Sequence, residues 1–301
     1  QQRLIFNHQQ FHRALPSLIA PPKALNTWPL YRCGPEHTLN NSPTASSDYP
    51  ARRGPGKMRG MTRLPALPAC CTPLRADWPL PHALPGSAWC STDFTPAQLS
   101  IDDFGCSAIE MPASIQRSVA KRQTEFLAGR LCARAAVLQL DGTLATPGIG
   151  EDRAPVWPDH IAGTITHSNG RAAALVALKS EWQGLGIDLE NLLSDERARR
   201  LAKEILTPDE LQRMAAGCAE DLALLVTLTF SLKESLFKAL FPLVQKRFYF
   251  EHAELLSWSK DGHARLRLLT ELSAQWHHGK EIEGQFAVWE GQLLSAIAIK
   301  A

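Results

Sequence analysis

Leu222 to Leu240 is a long apolar stretch with neither glycine nor proline in it. Such a stretch reads as a helix, and one so apolar around its circumference has to be buried. A chain of 301 residues, 45% of them hydrophobic, is large enough to cover it. The same stretch carries Glu234 and Lys238. Charges in an apolar helix are costly unless they meet an ion, a phosphate or each other. These two are four apart, Glu first, and share one face. A solvated ion pair on an amphipathic helix has the same spacing.

The elements around this helix are mixed. A long helix is expected over about Pro112–Leu140, where Leu127, Leu131, Ala135 and Leu138 fall on one face. Gly142 and Pro147 end it. Ile161–His167 and Ala172–Leu178 read as strands around the turn Ser168-Asn169-Gly170-Arg171. Gly184–Leu192 is another strand, and Asp195–Ile205 a polar helix. Thr207 before Pro208-Asp209-Glu210 looks like an N-cap. Phe248–Leu256, Ala264–Leu269, Gln285–Trp289 and Leu293–Ile299 alternate as strands, the last two joined through Glu290-Gly291-Gln292. Helices and strands mix without a regular βαβ spacing, which makes the class α+β. From Met61 to Phe104 the chain reads as an extended, packed lead-in.

Four motifs carry possible chemistry. In Gly186-Ile187-Asp188-Leu189-Glu190, the two carboxylates project from one face of a strand, opposite Leu185, Ile187 and Leu189. With a third carboxylate they could hold Mg²⁺, which prefers oxygen ligands; an amphipathic strand with a wet face has the same pattern. The second motif is Phe230-Ser231-Leu232-Lys233-Glu234-Ser235-Leu236-Phe237-Lys238. In the third, Gly150 to Pro158, two prolines stiffen the segment and present Arg153, whose fork suits phosphate. The strand that follows ends in Thr166-His167-Ser168. The fourth is the basic set Lys121, Arg122, Arg130 and Arg134. Its default is a solvated helix face, although Lys121 and Arg122 at a helix start could cover a phosphate.

Charge divides the chain. Residues 1–60 hold eight Lys/Arg against two Asp/Glu, and eight prolines interrupt every candidate element. They are expected to lie outside the folded domain as an N-terminal extension, with Met58 and Met61 the first methionines. The other 241 residues hold 24 basic and 28 acidic groups, which with the lack of aromatic platforms argues against a nucleic-acid binder. No apolar run of membrane-spanning length occurs. Seven scattered cysteines without a C-x-x-C pair suggest free thiols in a reducing compartment such as the cytoplasm.

In order and content the four motifs resemble the 4′-phosphopantetheinyl transferases, of the larger Sfp and enterobactin-synthetase component D class, and within it pseudomonad members. The signature joins a G-x-D-x-E strand to a (W/F)-x-x-K-E-x-x-x-K helix about forty residues later. The resemblance covers about residues 62–301; Phe230 stands where Trp is commoner, and Ala154 intervenes before Pro155. It implies two similar α+β halves, residues 61–181 and 182–301, related by a pseudo-twofold with the active site in the cleft between them. It implies transfer of phosphopantetheine from coenzyme A to a serine of apo acyl carrier proteins or peptidyl and aryl carrier domains. The enzyme would be a cytoplasmic monomer, with no membrane or nucleic-acid partner. By the same resemblance Asp188, Glu190 and Glu234 hold Mg²⁺, and Glu234 takes the serine proton, directly or through a water. Lys238 meets the pyrophosphate, Thr166 and His167 bind phosphate oxygens, and Arg153 holds the 3′-phosphate end. Lys121 and Arg122 also contact coenzyme A. The residues alone also allow another Mg²⁺-dependent phosphoryl or nucleotidyl transferase, or a silent coenzyme A-binding module.

Overall fold

A strand, a long helix and a β-hairpin occur in that order twice along the chain. The first set is β1 (Ser87–Asp93), two single-turn helices α1 (Asp103–Cys106) and α2 (Ala113–Gln116), α3 (Ala120–Asp141), the small pair β2 (Gly148–Ile149) and β3 (Pro155–Val156), and the hairpin β4 (Ile161–Ser168) and β5 (Arg171–Leu178). The second is β6 (Trp182–Asn191), α4 (Asp195–Ile205), α5 (Pro208–Ala216), α6 (Leu222–Val244), then β7 (Ala253–Trp258), β8 (His263–Leu268), β9 (Glu281–Trp289) and β10 (Gln292–Lys300). In this computed structural model the residues described are 65–150, 153–216 and 221–301, all within one compact unit, Arg59–Ala301. The expected extension, residues 1–60, falls outside the described residues.

The sheets repeat the pattern. The first has the order β1-β5-β4, and the second β6-β10-β9-β8-β7. In each, the opening strand pairs antiparallel with the last strand of the hairpin, β1 with β5 and β6 with β10. The class is α+β. Helix α3 lies on β5 and β1, and α6 on β6 and β10. A third apolar layer joins the two sheets, with Trp89 and Leu175 meeting Leu185, Ile187, Leu189 and Leu294.

At the join, β4 runs beside the free edge of β6, but threonine side chains replace the ladder. Ile187 N–H donates to Thr164 Oγ1 at 3.2 Å, and Leu189 N–H to Thr166 Oγ1 at 3.0 Å. Two hydroxyls thus satisfy donors that an exposed sheet edge would leave open.

Local signals explain the main boundaries. Asn169 and Gly170, and again Glu290 and Gly291, take left-handed backbone conformations that close the two hairpins. Thr207 and Glu210 form a reciprocal capping box at α5, Glu210 N–H on Thr207 Oγ1 at 3.2 Å and Thr207 N–H on Glu210 Oε2 at 2.7 Å. Helix α6 runs on through Pro242 to Val244, past the expected end. The single helix expected over Pro112–Leu140 is instead two, broken between Gln116 and Ala120. The lead-in also contains a full strand, β1, whose buried Trp89 anchors the third apolar layer.

Candidate active site

Glycines let the long helix onto the strand. Gly184, Gly186, Asp188 and Glu190 alternate along β6, so all four face the same way. A Cβ on Gly186 would run into the Ser235 carbonyl of α6, and one on Gly184 would meet that of Ala239. The helix therefore sits directly on the strand backbone, and Asp188, next in the row, is 1% exposed. The carboxylate face of the strand is roofed by α6, and the alternative of an amphipathic strand with a wet face does not describe Asp188. Three hydroxyls pin the roof: Ser295 Oγ lies 2.7 Å from Ser231 Oγ and 2.8 Å from Ser235 Oγ.

Under this roof the charges converge. Lys238 does not stay on its own helix to pair with Glu234. Its Nζ reaches Asp188 Oδ1 at 2.7 Å and the Ile187 carbonyl at 2.9 Å. Asp188 Oδ2 is buried and has no hydrogen-bond partner. Burial pushes the Glu234 carboxyl up to about 7, helped by the Asp188 charge and opposed by Lys238. Glu190 is pushed well above the usual carboxylate range by burial and then by Asp188, with Glu234 adding to it and Lys238 and Arg197 opposing. Asp188, Glu190 and Glu234 thus repel one another, with Lys238 the nearest relief. Among the described residues no three His, Cys, Asp or Glu side chains already form a closed metal-binding group. The unpartnered Asp188 oxygen and the mutual repulsion nevertheless suit a hard cation with oxygen ligands.

A second group stands at the start of α3 and the end of β4. Arg122 Nη1 lies 2.8 Å from His167 Nε2. A guanidinium only donates, so Nε2 accepts and the proton of the neutral ring sits on Nδ1. That nitrogen faces Glu125 Oε2 at 3.8 Å. Glu125, which the sequence did not single out, is pushed up by burial against the lowering pull of Arg122 and Lys121. Its signal was its place one turn after Arg122. The threonine bridges run this strand end beside the Asp188–Glu190 stretch.

The other predicted residues are placed differently. Thr166 is buried, and its oxygen already accepts from Leu189 N–H. Lys121 is exposed in the first turn of α3. Arg153 is exposed too, with a φ of 64° in the turn between β2 and β3. Arg130 and Arg134, expected on a solvated face, are instead buried. Arg130 donates to the Gly148 carbonyl at 3.0 Å and lies over the Phe126 ring, and burial lowers it to about 10. Arg134 donates to the Ser107 carbonyl at 2.6 Å. Lys233 is buried as well, donating to Glu210 Oε2 at 2.7 Å, Ile205 O at 2.8 Å and Phe250 O at 3.0 Å.

An α+β fold with buried carboxylates beside a lysine, and an arginine–histidine pair on the adjoining strand, is suited to moving a phosphate-linked group. Comparison with known proteins gives the class: residues 110–177 match the 4′-phosphopantetheinyl transferase N-terminal domain, and residues 184–294 the 4′-phosphopantetheinyl transferase superfamily. Enterobactin synthase component D of Escherichia coli K12 is 40% identical over 148 residues, 49% of this chain and 68% of that protein. The 4′-phosphopantetheinyl transferase Svp of Streptomyces mobaraensis is 32% identical over 219 residues, 71% of this chain and 87% of Svp. Npt of Nocardia iowensis, also a 4′-phosphopantetheinyl transferase, is 30% identical over 194 residues, 61% of this chain and 85% of Npt. The chain belongs to the 4′-phosphopantetheinyl transferase family.

Proposed function

We infer that this chain transfers the 4′-phosphopantetheine group of coenzyme A to a serine hydroxyl of an apo carrier protein, releasing adenosine 3′,5′-bisphosphate. The observation that carries this reading is the convergence of buried Asp188 with half-buried Glu190, Glu234 and Lys238 between β6 and α6. The partners in this reading are apo acyl carrier protein and peptidyl or aryl carrier domains, and the enterobactin synthase relatives are consistent with a siderophore setting. The enzyme works as a cytoplasmic monomer, and its coenzyme A lies in a cleft between two pseudo-twofold halves, residues 61–181 and 182–301.

Attack on a phosphorus within a pyrophosphate needs its negative charge offset, a base for the hydroxyl and cations for the leaving group. Asp188, Glu190 and Glu234 would hold a magnesium ion, with the free Asp188 Oδ2 as one ligand atom. Magnesium would neutralise pyrophosphate charge and draw electron density from the phosphorus under attack. Glu234, whose proton affinity lies near neutrality before a cation binds, takes the serine proton directly or through a water. Lys238 Nζ, on the same carboxylate wall, faces the pyrophosphate as charge shifts to the leaving group. His167 and Arg122 bind phosphate oxygens from the other side, Arg122 as the permanent cation. Thr166 sets the strand that carries His167. Lys121 and Arg153 reach the 3′-phosphate and adenine end.

Mass spectrometry of an apo carrier protein after incubation with the enzyme, coenzyme A and Mg²⁺ tests the reading. A mass gain equal to phosphopantetheine is expected on the carrier serine. An unmodified carrier, or a modification that requires ATP in place of coenzyme A, overturns it.

A further inference from the structure

Both candidate groups end at one buried amide. Gln292 opens β10 directly after the β9–β10 turn and is 6% exposed. Its register partner across the sheet is Asn191, the residue after Glu190. Its Nε2 donates to Asn191 Oδ1 at 3.0 Å and to the carbonyl of Ser168, the residue after His167, at 3.3 Å. Its Oε1 accepts from Arg171 Nη1 at 3.2 Å. One amide therefore ties the end of β4 to the end of β6, next to the side chains assigned to phosphate and metal.

The amide is itself held. Arg171 Nε donates to Asp93 Oδ1 at 2.8 Å, its Nη2 meets Glu290 Oε2 at 2.5 Å, and its guanidinium covers the Trp289 ring at 4.7 Å. Arg75 completes the ring, bonding Asp93 Oδ2 at 3.1 Å and Glu290 Oε1 at 3.0 Å. The turns of two hairpins from different sheets are thereby clamped together, and Gln292 is the member of the clamp bonded to the neighbours in sequence of His167 and Glu190.

We propose that Gln292 is a positioning residue that sets the spacing between His167 and the Glu190 carboxylate, and so between a group assigned to phosphate and one assigned to the metal. It rests on the transferase reading above. Without the amide donors, the Ser168 carbonyl and Asn191 Oδ1 lose their shared partner, and β4 is held to β6 by the threonine bridges and the apolar layer further back. The coenzyme A phosphates then meet two groups whose separation is no longer fixed.

The test is a double-mutant cycle on coenzyme A binding, with titration calorimetry giving the dissociation constant and carrier modification giving turnover. Wild type is measured first; its failure to modify any carrier sinks the transferase reading, separately from this one. Gln292→Met, of similar volume but without the amide, is expected to weaken coenzyme A about tenfold. His167→Ala is expected to weaken it comparably, and the double variant no further than His167→Ala alone, because the amide acts through the histidine's position. Gln292→Glu, which keeps an acceptor for Arg171 but loses both donors, repeats the defect and serves if Gln292→Met does not fold. Wild-type affinity in both Gln292 variants overturns the proposal. So does a double variant whose two losses multiply in full, since a merely structural residue would weaken binding whether or not His167 is present.

Discussion

Lys233 and Lys238 stand five residues apart on one helix, and the fold treats them in opposite ways. Lys233 is sealed, with its three protons on two carbonyls and the Glu210 carboxylate. Lys238 has the more exposed side chain and shares Asp188 with no partner for the other carboxylate oxygen. Helix α3 extends the contrast. Arg130 and Arg134 are buried like Lys233 and donate to the Gly148 and Ser107 carbonyls, although the Nε of each has no partner, whereas Arg122, about two turns earlier, meets the one acceptor nitrogen of His167. A buried charge whose hydrogen bonds close within the protein holds the fold. One left beside an open lone pair and like charges is available to chemistry.

The largest effect should come from the open side of that comparison. Asp188→Asn or Glu234→Gln should lower carrier modification by about a thousandfold or more, each removing a charge needed against the pyrophosphate. Circular dichroism should show both variants folded. Turnover within tenfold of wild type in both would break the division at once. Lys233→Met tests the closed side. Leaving Glu210 without its cation should cost about 3–5 kcal/mol in urea unfolding, and turnover of the protein that remains folded should change less than stability does. A variant with wild-type stability and no turnover would move Lys233 to the other class.

A third test uses pH. Glu234 is held up to about 7 without a cation, above its value of 4.5 in an unfolded chain. Between those values the folded protein keeps a proton that the unfolded chain has lost, so the contribution of Glu234 to stability falls as pH rises through that window. The fall is on the order of a few kcal/mol at most. Melting temperatures of metal-free protein should show it, and Glu234→Gln should make the profile shallower, with Glu190 keeping its own share. Equal slopes for the wild type and the Glu234→Gln variant would mean that Glu234 is not held protonated. The smallest effect belongs to the rim. Arg153→Ala should raise the Michaelis constant for coenzyme A about tenfold, from loss of a charge-assisted phosphate bond. Dephospho-coenzyme A, which lacks the 3′-phosphate, should be used unchanged. Equal weakening of both donors would place Arg153 at the pyrophosphate or in the framework.

What could be read beforehand follows the range of each interaction. Alternation along Gly184 to Glu190, the spacing of Glu234 and Lys238, and the Thr207 cap are settled by neighbours within a few residues. The break before Ala120 was missed because Ser118 and Val119 carry no strong breaker signal. Strand β1 was missed because prolines flank it, and its register with β5 comes from far along the chain. Arg130 and Arg134 looked solvated because their acceptors, Gly148 and Ser107, lie 18 and 27 residues away. Ser231, Ser235 and Ser295 were invisible for the same reason: a hydroxyl bound across about sixty residues has no local pattern. At the site, the chemistry-bearing types were legible and their partners were not; Lys238 turned out to serve Asp188 on the strand beneath its helix.

Gly184 and Gly186 also decide how the enzyme can move. At Gly186 the spacer between α6 and β6 is main chain against main chain, with no rotamers to switch and no side chain to compress. Thermal agitation that reshuffles an ordinary helix–sheet contact has little to act on there. That contact leaves strand and helix little room to slide on each other. The other side of β6 is held more thinly: side-chain hydroxyls and one amide, in place of a ladder, tie its edge to β4, so parting there breaks fewer bonds than parting a paired edge would.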